Sequence, residues 1–178
     1  MKSAVTLIET IVYIGIASII LVASTVLIFT WISKEIRQNI SNQITSTVTF
    51  SSGQLTYYTK RANRIDDGTI YSSTGTGKLV LSYATSPSVT FDVVDRVVTL
   101  GELTTTTQSL RITVGTSTPS YLTGEHQRVT AFHIIDLSPS PTVTTTAFFL
   151  NVSHINPTSA KTYDAHISTS STVTLRAQ

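Results

Sequence analysis

The chain contains no cysteine among its 178 residues. This absence excludes a disulfide scaffold, a catalytic thiolate and a cysteine-ligated zinc site. Charged residues are also scarce: they make up 12% of the sequence, whereas about a quarter is usual. A chain with so little charge does not have the composition of a disordered acidic or basic tail.

The chain also lacks a strongly basic region. Residues 1–60 contain four Lys or Arg and two Glu, whereas residues 61–178 contain eight Lys or Arg and eight Asp or Glu. The larger part is therefore neutral. Because proteins that bind nucleic acid need clustered basic side chains to contact phosphates, DNA and RNA are not expected as main ligands.

Hydroxyl side chains are abundant. There are 33 Thr and 23 Ser, so 56 of the 178 residues carry a small hydroxyl group. The many β-branched residues favour strands and argue against a helical bundle.

The N-terminal segment is a long apolar run. It extends over 28 residues from Val5 to Ile32, with Glu9 as its only charge and with no proline. A continuous helix of that length measures roughly 42 Å and exceeds the bilayer core of about 30 Å. The run is also longer than the apolar region of about 7–15 residues in a signal peptide. We expect a continuous membrane-spanning helix with a cytoplasmic N-terminus.

Glu9 is unusual in such a segment. A carboxylate at the centre of a membrane helix costs about 2.5–3.5 kcal/mol, and less near the end of the helix. Glu9 could lie at the membrane edge, wet or protonated. Alternatively, it has a dedicated partner.

Residues 4–10, Ala-Val-Thr-Leu-Ile-Glu-Thr, followed by the apolar helix, resemble the N-terminus of type IV pilins and pseudopilins. The resemblance implies a leader at residues 1–4, cleavage by a prepilin peptidase between Ala4 and Val5, and methylation of the new N-terminus. Ala4 stands where the family usually has Gly, and Val5 where it usually has Phe. The proline-free helix and the closing Thr-Val-Thr-Leu-Arg run favour a minor pilin or pseudopilin.

The resemblance also implies how the subunits assemble. Cleavage would place a free amine on Val5, and Glu9 of one subunit would meet the Val5 amine of a neighbour in a staggered bundle of helices. Such a pair fixes register more than it adds stability, because desolvation offsets most of the attraction. The apolar side chains expected in the filament core are Leu7, Ile8, Ile11, Val12, Ile16 and Ile19.

Beyond the membrane segment the helix becomes amphipathic. Apolar residues recur every fourth position, and this stripe predicts helix to about Tyr58, with one face for packing. Residues 33–58 are therefore assigned to an amphipathic half and residues 5–32 to a membrane or filament-core half. The stripe consists of Ile32, Ile36, Ile40, Ile44 and Val48.

The C-terminal part has the alternating pattern of strands. Residues 59–77 are expected to form a linker with a turn at 66–68, and residues 78–178 a β-sheet head. The predicted fold class is α+β, with the long helix packed on one antiparallel sheet of seven strands, including a hairpin through Asp95. The strands are expected at 79–83, 88–94, 96–100, 109–114, 128–137, 142–152 and 166–176.

No catalytic motif is complete. One segment partly matches a phosphate-binding loop, namely Gly75-Thr76-Gly77-Lys78. It lacks the first glycine and the final hydroxyl of that motif, and we expect it to form a turn. The four histidines have no spacing suited to a metal, and His133 is expected to pack within a strand. Asp92 and Asp95 are expected to be solvated charges beside a hairpin turn. We expect no enzyme activity, no cofactor and no metal.

The function expected from the resemblance is that of a structural subunit of a type IV pilus-like filament. Its implied partners are copies of itself, other pilins, the prepilin peptidase, an inner-membrane platform and an assembly ATPase. The chain would lie in the inner membrane before assembly and in an extracellular filament afterwards, serving adhesion, motility, DNA uptake or secretion. The alternative is a single-pass, membrane-anchored β-domain that binds or adheres but does not polymerise.

Overall fold

The structure is a computed structural model and describes residues 6–138, 144–156 and 164–175. One long helix precedes a head made of strands, which confirms the predicted α+β class. The elements are α1 (Leu7–Arg61), β1 (Arg64–Ile65), β2 (Lys78–Ser82), β3 (Val89–Leu100), β4 (Leu103–Val114), β5 (Ser120–Tyr121), β6 (Gln127–Asp136), β7 (Thr145–His154) and β8 (His166–Thr174).

Helix α1 is unbroken over 55 residues, as the absence of proline predicts. Thr6 caps its N-terminus, and the Thr6 hydroxyl oxygen accepts from the Glu9 N–H at 3.4 Å. The helix ends at Arg61, slightly later than predicted, because Ala62 turns to an extended conformation. Lys60 and Arg61 occupy the last turn, where positive charge complements the helix dipole.

The strands form two antiparallel sheets, where the sequence predicted one. The first has the order β1-β2-β3-β4-β5, and the second has the order β6-β7-β8. The predicted hairpin through Asp95 is wrong: β3 continues through Asp95, which pairs with Gln108 of β4. The chain reverses at Gly101 instead, where a φ of 66° suits glycine.

The second half of α1 packs on the head. Ile40, Ile44 and Val48 are buried, which confirms most of the predicted stripe. Ile32, also predicted to belong to the stripe, is not buried. It remains 46% exposed because the head does not extend that far along the helix. The buried face continues through Leu55 and joins the core residues of both sheets.

The segment predicted to be a linker contains β1, which pairs with β2 of the first sheet, and its later residues are tied to β6 of the second sheet. The Gly77 N–H donates to the Phe132 carbonyl at 2.6 Å, and the Ser72 N–H donates to the Ile134 carbonyl at 3.0 Å. A Cβ on Gly77 would stand 2.8 Å from Ile134 Cγ1. The glycine therefore permits a close approach between this segment and β6.

Gly115→Ala tests a second close approach. Gly115 has a φ of 55°, and an added Cβ would lie 2.8 Å from Pro87 Cβ. We expect a loss of about 1–3 kcal/mol in the free energy of unfolding, from backbone strain and from this contact. Urea unfolding of the full chain in detergent measures the loss.

The matched control for this prediction is Gly53→Ala. Gly53 lies inside α1, and nothing stands within 4 Å of an added Cβ. Alanine should therefore stabilise the chain by up to about 1 kcal/mol. Equal effects of the two substitutions would contradict the account of Gly115.

Candidate assembly site

The first half of α1 makes no buried contact with the head. Residues 6–35 are all exposed, and the large apolar side chains between Leu7 and Trp31 are 52–81% exposed. An 18-residue window of this helix has a mean hydropathy of 2.6, and α1 is the one helix among the described residues long and apolar enough to cross a membrane. So large an exposed apolar surface is not expected to remain in water.

Three hydroxyl groups in the middle of this segment are satisfied within the helix. Ser18, Thr25 and Thr30 each donate to the carbonyl four residues earlier, at distances of 2.7, 2.8 and 2.8 Å. Because the donors of these three residues are satisfied, the residues are compatible with an apolar environment.

Glu9 lies in the first turn of α1, where the helix dipole favours a carboxylate. The Tyr13 hydroxyl, one turn further along the helix, donates to Glu9 Oε1 at 3.5 Å. No basic side chain within residues 6–138, 144–156 and 164–175 forms an ion pair with Glu9. The carboxylate is therefore accessible to a cation from another molecule. The predicted cleavage position Ala4 and the predicted partner Val5 lie outside the described residues.

The six side chains predicted for the filament core all lie on this exposed half. At 3.6 residues per turn they cover about half of the helix circumference, and Glu9 borders that half. Their exposure leaves them open to contact with lipid or with another helix, and their role in assembly stays a prediction. Their exposed fractions are 81% for Leu7, 74% for Ile8, 60% for Ile11, 55% for Val12, 52% for Ile16 and 72% for Ile19.

Several charged side chains of the head form ion pairs with one another. Asp92, predicted to lie beside a hairpin turn, instead lies within β3 and accepts two hydrogen bonds from Arg111 of β4, at 2.9 and 2.5 Å. Hydrogen bonding to Asp92 raises the pKa of Arg111. Arg96 pairs with Glu125 at 2.7 Å and lies 4.4 Å from the centroid of the Tyr121 ring. The Asp92–Arg111 pair joins two strands, whereas the Arg96–Glu125 pair joins β3 to the turn before β6.

Two histidines that are distant in sequence come together. The rings of His126 and His154 stack with centroids 6.4 Å apart, because β6 and β7 pair. His133 stacks on Phe149 at 5.4 Å, which confirms that it packs within a strand. Across the described ranges, no group of three or more His, Asp or Glu side chains could hold a metal ion.

His154 should make the head sensitive to acid. Burial, with a smaller contribution from His126, lowers the pKa of His154 below its ordinary value of 6.5. The unfolded chain then takes up a proton at a higher pH than the folded head. The stability that depends on a neutral His154 is therefore complete above about pH 6.5. It declines as the pH falls towards the pKa of His154 in the folded head. We expect the urea midpoint to fall between about pH 7.5 and 5.5, and His154→Gln to reduce that fall.

The control for this prediction is His166→Gln, at an exposed position of β8. This variant should keep the wild-type decline. Hydrogen bonds lower the pKa values of Asp66 and Asp136, so the stability that these carboxyls contribute is lost only below about pH 3.8. They therefore do not titrate in the range from about pH 7.5 to 5.5 that this prediction concerns. An unchanged decline in His154→Gln would contradict the assignment.

No family model matches the chain, and no curated protein or solved structure matches it either.

Sequence reasoning missed a cleft beside the end of α1, lined in part by Tyr57, Arg61 and Tyr83. The only signal was the Tyr57-Tyr58 pair followed one turn later by Arg61. Nothing in the sequence pointed to the loop that closes the other side of the cleft.

Proposed function

We propose that the chain is a structural subunit of a type IV pilus-like filament and that it polymerises through its N-terminal helix after removal of a leader. The observation that carries the proposal is the exposed apolar half of α1, with the single carboxylate of Glu9 in its first turn. A helix that is apolar on all sides requires burial, either in lipid or among other helices.

The geometry supports transfer of this helix from a membrane into a bundle. The apolar segment extends away from the head, so neighbouring subunits can pack their helices while the heads remain outside. Glu9 would then meet a positive charge on the next subunit, which we propose to be the amine of Val5. In an apolar bundle an unpaired carboxylate is costly, and this cost selects the register in which the pair forms.

The proposed partners and location follow from this assignment. Before assembly the chain would span the inner membrane, with a prepilin peptidase, a platform protein and an assembly ATPase acting on it. After assembly it would contact copies of itself and other pilins in a surface filament. The proposed role is structural, without enzyme activity.

The second candidate is a membrane-anchored β-domain that does not polymerise. The packed head and the long apolar helix are as compatible with this anchored domain as with a filament subunit. It gives no role to Glu9 or to the order Thr6-Leu7-Ile8-Glu9, and we therefore place it second.

Shearing of intact cells separates the two candidates. Surface filaments break off under shear, whereas an anchored domain stays with the membrane. We expect the chain in the sheared fraction, together with filaments that an antibody to the head labels along their length or at their ends. Recovery of the chain only in the membrane fraction, with no labelled filament, would favour the anchored domain.

A further inference from the structure

A polar cleft of about 380 Å³ lies beside the C-terminal end of α1. Its walls are the last turn of the helix and the loop after β2, and its lining includes Tyr57, Arg61, Asn63, Tyr83 and Ser86. At 1.5 Å per residue, the end of the helix is roughly 45 Å beyond the apolar segment. The cleft is therefore far from both the membrane and the proposed assembly site.

Arg61 is the only charged residue that lines the cleft, and it has no carboxylate partner in the described part of the chain. Its guanidinium group donates to the Tyr57 hydroxyl at 2.7 Å and lies 5.1 Å from the centroid of the Tyr57 ring. The tyrosine thus holds the guanidinium in place, and its remaining donors can bind an anion. A guanidinium matches the planar geometry of a carboxylate.

Three tyrosines also line the cleft, namely Tyr57, Tyr58 and Tyr83. Tyr57 and Tyr58 meet edge to face, with centroids 5.3 Å apart, and Tyr57 is 51% exposed. The Tyr83 hydroxyl donates to the Tyr58 carbonyl at 2.8 Å and so attaches the loop to the end of the helix. Burial raises the pKa of Tyr83 to about 12, so this phenol remains a donor at neutral pH.

Neutral hydrogen-bonding groups complete the cleft. Thr85 and Ser86 supply exposed hydroxyls. Asn63 is exposed and accepts from the Ala84 N–H at 2.9 Å through its side-chain carbonyl, so that its NH₂ group can serve as a donor. One cation, aromatic surface and several neutral donors and acceptors therefore share one small volume.

We propose that this cleft binds a saccharide unit that carries a carboxylate, such as a uronic acid. The aromatic rings would contact the C–H face of the sugar, Arg61 would pair with its carboxylate, and the neutral groups would bind its hydroxyls. A purely apolar ligand would leave these polar groups unpaired. The inference concerns the head alone and does not depend on polymerisation.

Binding is measured on the full chain in a detergent without a sugar head group, such as an amine oxide. The probes are digalacturonate, its neutral digalactose counterpart, and N-acetyl-aspartate, a carboxylate without a sugar ring; titration calorimetry or saturation-transfer NMR reads the binding. We expect digalacturonate to bind at least about tenfold more tightly than either comparison probe. Equal binding of either comparison probe, or no binding of digalacturonate, would overturn the proposal.

Arg61→Gln and Lys60→Gln form a matched pair of variants. Both remove one positive charge from the last turn of α1, but only Arg61 lines the cleft. We expect Arg61→Gln to weaken binding of digalacturonate at least about tenfold and Lys60→Gln to leave it within about twofold. Equal losses in the two variants, or no loss in Arg61→Gln, would overturn the site. An unchanged urea midpoint verifies that each variant folds.

Discussion

Replacing Glu9 by alanine is expected to abolish recovery of the chain in filaments while leaving its amount in the membrane unchanged. Glu9 is exposed and has no basic partner in the described residues, so the head does not depend on it. In the proposed bundle its loss would leave the facing amine unpaired in an apolar environment. Removing one partner of such a pair costs about 3–5 kcal/mol, or roughly two to four orders of magnitude in the affinity of each subunit contact.

Glu35→Ala is the matched control for this prediction. Glu35 is an exposed glutamate of the same helix, beyond the apolar segment. Sheared and membrane fractions of each variant are quantified by immunoblotting. Filaments at the wild-type level in Glu9→Ala, or an equal loss in Glu35→Ala, would contradict the proposed role of Glu9.

Phe91→Ala is expected to lower the free energy of unfolding of the head by about 3–5 kcal/mol. Phe91 is fully buried in β3, and its ring meets that of Tyr58 on α1 edge to face at 5.9 Å. Truncation removes apolar contacts and leaves a cavity at the contact between helix and sheet. The second half of α1 should lose protection from hydrogen exchange in the same transition.

Phe50→Ala provides the comparison. Phe50 lies on α1 but is 55% exposed, so its truncation should change the stability by less than about 1 kcal/mol. Urea unfolding and hydrogen exchange of the full chain in detergent measure both variants. If both substitutions cost the same, the helix is not held to the head through the contact described here.

The sequence predicted the helix and the fold class because both depend on local patterns. A long apolar run without proline specifies a continuous helix, and apolar residues at every fourth position specify the face of the helix that packs. The division into two sheets was not predictable, because alternation marks a strand but not its partner. The error at Asp95 has the same origin: a charged residue within a strand looked like a turn, whereas β3 pairs Asp95 with Gln108.

The candidate assembly site was predicted from one contiguous motif, and the structure places Glu9 and the six apolar side chains on an exposed helix. The cleft and the stacked histidines could not be found in this way. Loop packing brings Ser86 to the same cleft as the end of α1, and strand pairing brings His126 to His154. Residues far apart in sequence carry no shared local signal.

Mass spectrometry of the N-terminal peptide of protein sheared from the cell surface tests the central proposal most directly. The account predicts a chain that starts at N-methylated Val5 and is recovered from filaments. A chain that still starts at Met1 and is found only in membranes would contradict the filament proposal and leave the anchored β-domain.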